Sequence, residues 1–101
     1  MANLSEILGN ERRMLMIVYL IENGGQGSVR EIAEYIVAKK QKNGHRYRKS
    51  VYVSLKQTHI PMLEREGFVR VERDTIFIDN SKLFADLVSF LKMFSSVFMK
   101  E

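Results

Sequence analysis

Hydrophobic and polar positions recur along this chain with several periods, and each period predicts an element. Met14 to Ile21 is an unbroken run of eight apolar residues. Asn10 or Ser5 supplies a cap before it, and Gly24-Gly25 stop the helix after Glu22-Asn23. A helix that is apolar all round in a small domain calls for a cover beyond its own core, such as a second subunit. Ser28 and Glu31 form an S-x-x-E capping box, after which Val29, Ile32, Ala33, Ile36 and Val37 follow the i, i+3, i+4, i+7, i+8 spacing of a one-faced amphipathic helix. Lys39 to Tyr47 is polar and basic with Asn43-Gly44 inside it, which predicts a loop. A third helix is predicted from about Arg48 to Glu66, with Val51, Leu55, Thr58, His59 and Met62 on its apolar stripe. Pro61 lacks a backbone donor and crowds the carbonyl of Gln57, so a kink or break is expected between Thr58 and Pro61, with Pro61 opening a short final helix.

Beyond Gly67 the period changes. Phe68 to Arg73 and Thr75 to Asp79 are β-branched and aromatic runs around Asp74, the pattern of a tight hairpin whose tip has no glycine and whose turn type stays open. Asn80 or Ser81 can cap a last helix in which Leu83, Leu87, Phe90, Phe94 and Val97 follow a 4-3-4-3 spacing while Phe84, Val88, Leu91 and Phe98 form an adjoining stripe. A domain lying on one side cannot serve both faces. Packing against Met14 to Ile21 accounts for one, and a twofold partner is the expectation for the other, since C2 dimers are the commonest closed assembly. The predicted architecture is therefore mainly α with a small β-hairpin (α+β). It is a winged helix-turn-helix domain over residues 1–80 followed by a C-terminal dimerisation helix over residues 81–101, with no internal repeat or linker.

Composition narrows the function classes. A chain of 101 residues with 46% hydrophobic and 28% charged residues is sized for one core. The absence of cysteine removes disulfide frameworks, thiolate metal sites and cysteine nucleophiles together, and fits a reducing interior. The first eight residues lack a basic n-region and are interrupted by Glu6, so no secretory signal and a cytoplasmic location are expected. Leu83 to Met99 has about the minimum length of a bilayer span, but Asp86 and Lys92 lie inside it and argue against membrane insertion.

The charge is unevenly placed. No acidic residue occurs from Tyr35 to Leu63, a segment that holds Lys39, Lys40, Lys42, Arg46, Arg48, Lys49, Lys56, His45 and His59. Like charges so clustered repel one another unless a polyanion relieves them, which points to a phosphate backbone; the plainer reading is a basic face kept for solubility. Helix, helix, loop, basic helix, hairpin is the order of a winged helix-turn-helix, in which the third helix enters a major groove. The basic segment falls on that reading element. Arg46, Arg48, Lys49 and Lys56 suit phosphates or, for an arginine, guanine N7 and O6. Tyr47 and Tyr52 either donate to phosphates and touch thymine methyls or pack half-buried. Gln57 either reads adenine or satisfies the backbone near the expected kink. A dimer would set two third helices roughly 34 Å apart and favour an inverted-repeat site.

Asn10-Glu11-Arg12-Arg13 opening an apolar helix, followed by Ser54-x-x-x-x-His59-Ile60-Pro61-x-Leu63-x-x-x-Gly67-Phe68-Val69, resembles the winged-helix regulators of the ArsR and MarR type. The stretch from Arg48 to Pro61 more closely resembles a family of small archaeal winged-helix domains, with similar proteins in archaeal viruses. The resemblance covers roughly Leu4 to Asp79. It implies a homodimeric, sequence-specific, double-stranded DNA-binding protein acting as a transcriptional regulator, with contacts from Lys49, Ser50, Tyr52, Val53, Lys56 and Gln57 on the third helix and Arg73 on the hairpin. Two departures stand against the pattern: a loop from Lys39 to Tyr47 longer than a compact helix-turn-helix has, and a hairpin too short for a long minor-groove wing. The cysteine ligands of ArsR-type metal sensors are missing, so no metal and no cofactor are expected.

His59 lies on the apolar stripe and reads as a core residue, while His45 in the basic loop adds a pH-dependent charge. No paired carboxylates and no nucleophile with a base and an orienting acid stand out, so an enzyme is not expected. The alternative reading is a winged-helix protein–protein adaptor that docks on a partner through its apolar C-terminal helix.

Overall fold

Two helices begin where a side chain replaces hydrogen bonds that the first turn lacks. Asn10, extended at φ −116°, accepts from the Arg13 amide at 3.1 Å through Oδ1. It starts α2 (Glu11–Glu22) after a single turn, α1 (Leu4–Leu8). Gly24, at φ +73°, ends α2, and the Gly25 amide reaches back to the Leu20 carbonyl at 2.8 Å, the long bond of a Schellman cap. The computed structural model describes residues 4–79, 84–86, 88–90 and 92–93.

The capping box is formed in full: the Ser28 hydroxyl accepts from the Glu31 amide at 3.0 Å and the Glu31 carboxylate accepts from the Ser28 amide at 2.9 Å. It opens α3 (Val29–Lys40), which buries Val29, Ile32, Ala33, Ile36 and Val37. The expected long loop is corrected here. Lys39 and Lys40 complete the last turn of α3, where cations favour the helix dipole, and α4 (His45–Ser54) begins directly after Gly44. Only Gln41 to Gly44 connect them, made possible by left-handed Gln41 (φ 54°) and by Gly44 at φ 129°. Arg46 and Tyr47 are thus helical, and the turn has helix-turn-helix length.

Pro61 acts as expected. Leu55–His59 form a π-helical turn in which the Ile60 amide bonds the Leu55 carbonyl, five residues back, and Pro61 then stands in the first turn of α5 (Ile60–Arg65). Widening the helix relieves the crowding of the Pro61 ring against the Gln57 carbonyl.

The sheet has one strand more than the hairpin predicted. β1 (Gln26–Ser28) pairs antiparallel with β3 (Thr75–Ile78), which pairs antiparallel with β2 (Val69–Glu72), in the order β1-β3-β2. Gln26-Gly27-Ser28 is too short and polar to show a strand period. Its place is fixed by long-range pairing, Gly27 opposite Ile76. The hairpin turns through Arg73-Asp74, with Arg73 left-handed at φ 59°. The Val29 amide donates to the Asp74 carbonyl at 3.1 Å, fastening the hairpin tip to the start of α3.

One core joins Met16, Ile17 and Leu20 of α2 to Ile32 and Ile36 of α3, Val51 and Leu55 of the third helical segment, and Leu63, Phe68, Val69 and Ile76 beyond it. The other apolar residues of α2, Met14, Leu15, Val18, Tyr19 and Ile21, are half-buried, so the helix needs less external cover than its unbroken apolar run predicts. Thr58, expected on the apolar stripe, is exposed. Phe84 requires a further correction. At 3% exposure it packs edge-on against Phe68, with ring centroids 6.3 Å apart. Its side chain belongs to the core of this chain, not to a subunit contact, and the core therefore extends past residue 80. Val88 and Phe90 are half-buried; Leu83, Leu87, Leu91, Phe94, Val97 and Phe98 lie outside the described residues. Among the described residues no helix is long and apolar enough to cross a membrane.

Candidate nucleic-acid interface

With Val51 and Leu55 turned inward, helical geometry determines what α4 and the π turn leave outside. Arg46, Lys49, Ser50, Val53, Lys56 and Gln57 are all exposed and recur at helical spacing, so they form one continuous outer strip. Six of the ten residues expected to contact DNA therefore share a face. Three are cationic, one is apolar and two carry hydrogen-bonding side chains.

Tyr47 and Tyr52 flank that strip, while Arg48 lies on the side of α4 turned to α3, where it meets Glu34. Tyr47 and Tyr52 both pack against the core, which favours their packing role. The Tyr47 ring has the Arg12 guanidinium 5.4 Å from its centroid and Lys42 Nζ at 5.5 Å, while Lys56 Nζ lies 5.7 Å from the Tyr52 ring. Arg12 also donates through Nη1 to the Ser54 hydroxyl at 3.0 Å and to the Ser50 carbonyl and hydroxyl at 3.4 Å. Ser50 is thus tied to α2 even though it lies on the outer strip. The importance of Arg12 was hidden by its separation of 38 residues from Ser50.

Acids from outside the basic segment engage two of its seven cations. Lys40 Nζ lies 2.6 Å from Glu11, and Arg48 grips Glu34 through Nε at 2.6 Å and Nη2 at 3.1 Å. The hydrogen bond from Arg48 holds the Glu34 carboxyl below its ordinary pKa, with the charges of Arg48 and Arg30 acting in the same direction. Lys42, Arg46, Lys49 and Lys56 have no carboxylate within 4.0 Å among the described residues. Their charge remains uncompensated. Arg73 stands apart from the strip, exposed at the hairpin tip beside the start of α3.

His59 is 5% exposed and held from below. Arg13 Nη1 lies 3.3 Å from His59 Nδ1, and the same guanidinium donates through Nε to the Ile7 carbonyl at 2.9 Å and through Nη2 to the Glu6 carbonyl at 2.7 Å. Burial first, and then the charges of Arg13 and Arg12, bring the imidazole down to about pKa 4. It is a neutral acceptor that links α1, α2 and the π turn.

A polar cleft of about 340 Å³ lies between Tyr19, Asn23, Gln26, Gly27, Ser28, Glu31 and Thr75. The Glu31 carboxylate there is already bound to the Ser28 amide. Among the described residues no group of three or more His, Asp or Glu side chains could hold a metal ion.

Comparison with protein families matches residues 5–79 to a domain of unknown function, DUF7344. Comparison with curated proteins and with solved structures found no match.

Proposed function

The chain belongs to the DUF7344 family, a domain of unknown function, and from its geometry we propose that it is a double-stranded DNA-binding protein and transcriptional regulator that lays α4 and the π turn in the major groove. The carrying observation is the outer strip: Arg46, Lys49 and Lys56 share one exposed face around Ser50, Val53 and Gln57, with no carboxylate within 4.0 Å of their charges among the described residues. Residues 45–57 at 1.5 Å each make a rod about 20 Å long, which the roughly 12 Å wide major groove admits. The three cations fix it on phosphates, Val53 offers a methyl-sized apolar contact to thymine, and Gln57 has the donor–acceptor pair that adenine requires. The left-handed tip places Arg73 on a short wing fastened to α3, suited to one further phosphate.

The active form in this reading is a homodimer binding an inverted repeat. Met93, 68% exposed in the helical residues beyond the sheet, is a large apolar group that a second copy would cover.

Fluorescence anisotropy with a labelled random-sequence duplex, titrated at several salt concentrations, tests the reading. The logarithm of the binding constant should fall steeply with the logarithm of salt. Arg46→Ala, Lys49→Ala and Lys56→Ala should each flatten that slope by about one. A slope of zero for the unmodified protein overturns it. Tight binding by a monomer in light scattering overturns the homodimer and keeps the rest.

A further inference from the structure

We propose that Arg12 of α2 and Lys42 of the turn before α4 form a phosphate clamp, which grips the DNA backbone running along the α2 side of the outer strip. The assignment rests on the DNA reading above and adds to it a contact from a helix that does not enter the groove.

A helix in a major groove has a sugar–phosphate backbone along each side, because its diameter of roughly 10–12 Å nearly fills a groove roughly 12 Å wide. Val53 marks the middle of the outer strip. Three residues of α-helix stop about 60° short of a full turn, so Ser50 lies about 60° to one side of Val53 and Tyr47 about twice as far round on the same side. That side faces α2. Arg12 donates through Nη1 to the Ser54 hydroxyl at 3.0 Å and to the Ser50 carbonyl and hydroxyl at 3.4 Å. Since Ser50 belongs to the strip, the guanidinium stands at the border of the surface laid in the groove. On the other side of α4 Arg48 is already engaged by Glu34.

The two cations are set for an anion. Among the described residues Arg12 donates only through Nη1, which leaves the hydrogens on Nε and Nη2. Neither Arg12 nor Lys42 has a carboxylate within 4.0 Å among the described residues, and Glu11, next to Arg12 in the chain, is matched by Lys40 Nζ at 2.6 Å. Both charges stand by one ring, the Arg12 guanidinium 5.4 Å and Lys42 Nζ 5.5 Å from the Tyr47 centroid. Like charges held so near one another repel, and a phosphate relieves them both. Arg12 supplies a planar fork for two phosphate oxygens and Lys42 a point charge. The ring and the two serines fix the guanidinium in advance, so binding there orders little that is not already ordered. Phosphates occur at every step of the duplex, and the clamp therefore adds affinity and orientation without base preference.

Fluorescence anisotropy with a labelled random-sequence duplex over a series of salt concentrations tests the clamp in four proteins: the unmodified chain, Arg12→Lys, Arg12→Gln and Lys42→Ala. Arg12→Gln and Lys42→Ala should each flatten the log–log salt slope by about one, so that the loss of affinity between about 50 and 200 mM salt shrinks roughly 3- to 4-fold in each. Arg12→Lys keeps the charge and should keep the slope, even if weaker bonds to Ser50 and Ser54 lower its midpoint of urea unfolding. Lys42 lies exposed in the turn, so its variant decides the matter even if Arg12→Gln does not fold. An unchanged slope in Lys42→Ala or in folded Arg12→Gln overturns the clamp. So does a slope flattened equally by Arg12→Lys and Arg12→Gln, which would make Arg12 a brace for α4 alone. Either result beside a steep slope for the unmodified protein sinks the clamp and spares the DNA reading, whereas no duplex binding by the unmodified protein sinks both.

Discussion

His59 makes a pH dependence that can be calculated in advance. Its imidazole titrates at about 4 in the folded chain, against 6.5 for an unperturbed group. Between those values the unfolded chain binds the proton and the folded one does not, so stability falls as pH drops from 6.5 towards 4 and is level again below. Each factor of ten in proton affinity corresponds to about 1.4 kcal/mol, which makes the full loss about 3 kcal/mol, and the part already lost between pH 8 and pH 5 about 2 kcal/mol. The cause is local. A second proton on Nδ1 would face the Arg13 guanidinium at 3.3 Å, with Arg12 adding repulsion. His59→Asn cannot titrate, yet its Oδ1 stands where Nδ1 stood and can accept from Arg13. Urea unfolding followed by far-ultraviolet circular dichroism at pH 8 and pH 5 should therefore show the wild type losing about 2 kcal/mol more than the variant. Carboxylates contribute equally to both proteins and cancel in the difference. Identical pH dependences in the two would refute the reasoning.

Two further substitutions test the packing. A Cβ at Gly27 would sit 2.6 Å from Cε2 of Tyr19, whose ring is held edge-on by Tyr35 at 5.2 Å, so Gly27→Ala should cost about 1–3 kcal/mol in chemical unfolding. In a Tyr19→Ala background that cost should largely vanish, and a penalty of the same size there would place its origin elsewhere. Phe84→Ala should cost about 3–5 kcal/mol of stability with no change in oligomeric mass by light scattering; dissociation without destabilisation would return Phe84 to a subunit contact.

What was legible in the chain was mostly local. Asn10, the Ser28 and Glu31 box, the glycines after α2 and the disruption at Pro61 act on neighbours a few residues away, and each predicted its own effect. β1 escaped because three polar and small residues carry no period and owe their conformation to β3, almost fifty residues later. The polarity of Lys39 to Tyr47 suggests a loop, but Lys and Arg are good helix formers, so both helices run into this stretch and the turn needs only Gln41 to Gly44. At the candidate interface the charge density was visible in the letters, but its division was not. Which cations meet Glu11 and Glu34 depends on the crossing of α3 with α4 and the approach of α2, and linear spacing contains neither.

The π turn has a consequence for how the surface and the interior of this long helical segment are phased. A uniform α-helix advances about 100° per residue, and over the steps from Val51 to Leu55 and on to His59 its apolar seam would drift sideways. The wider turn takes up that slippage, so Val51, Leu55 and His59 stay buried along one seam although the segment runs on into α5. A single extra residue in the turn thus takes the place of a bend, keeping one continuous segment in register with the interior over its whole length.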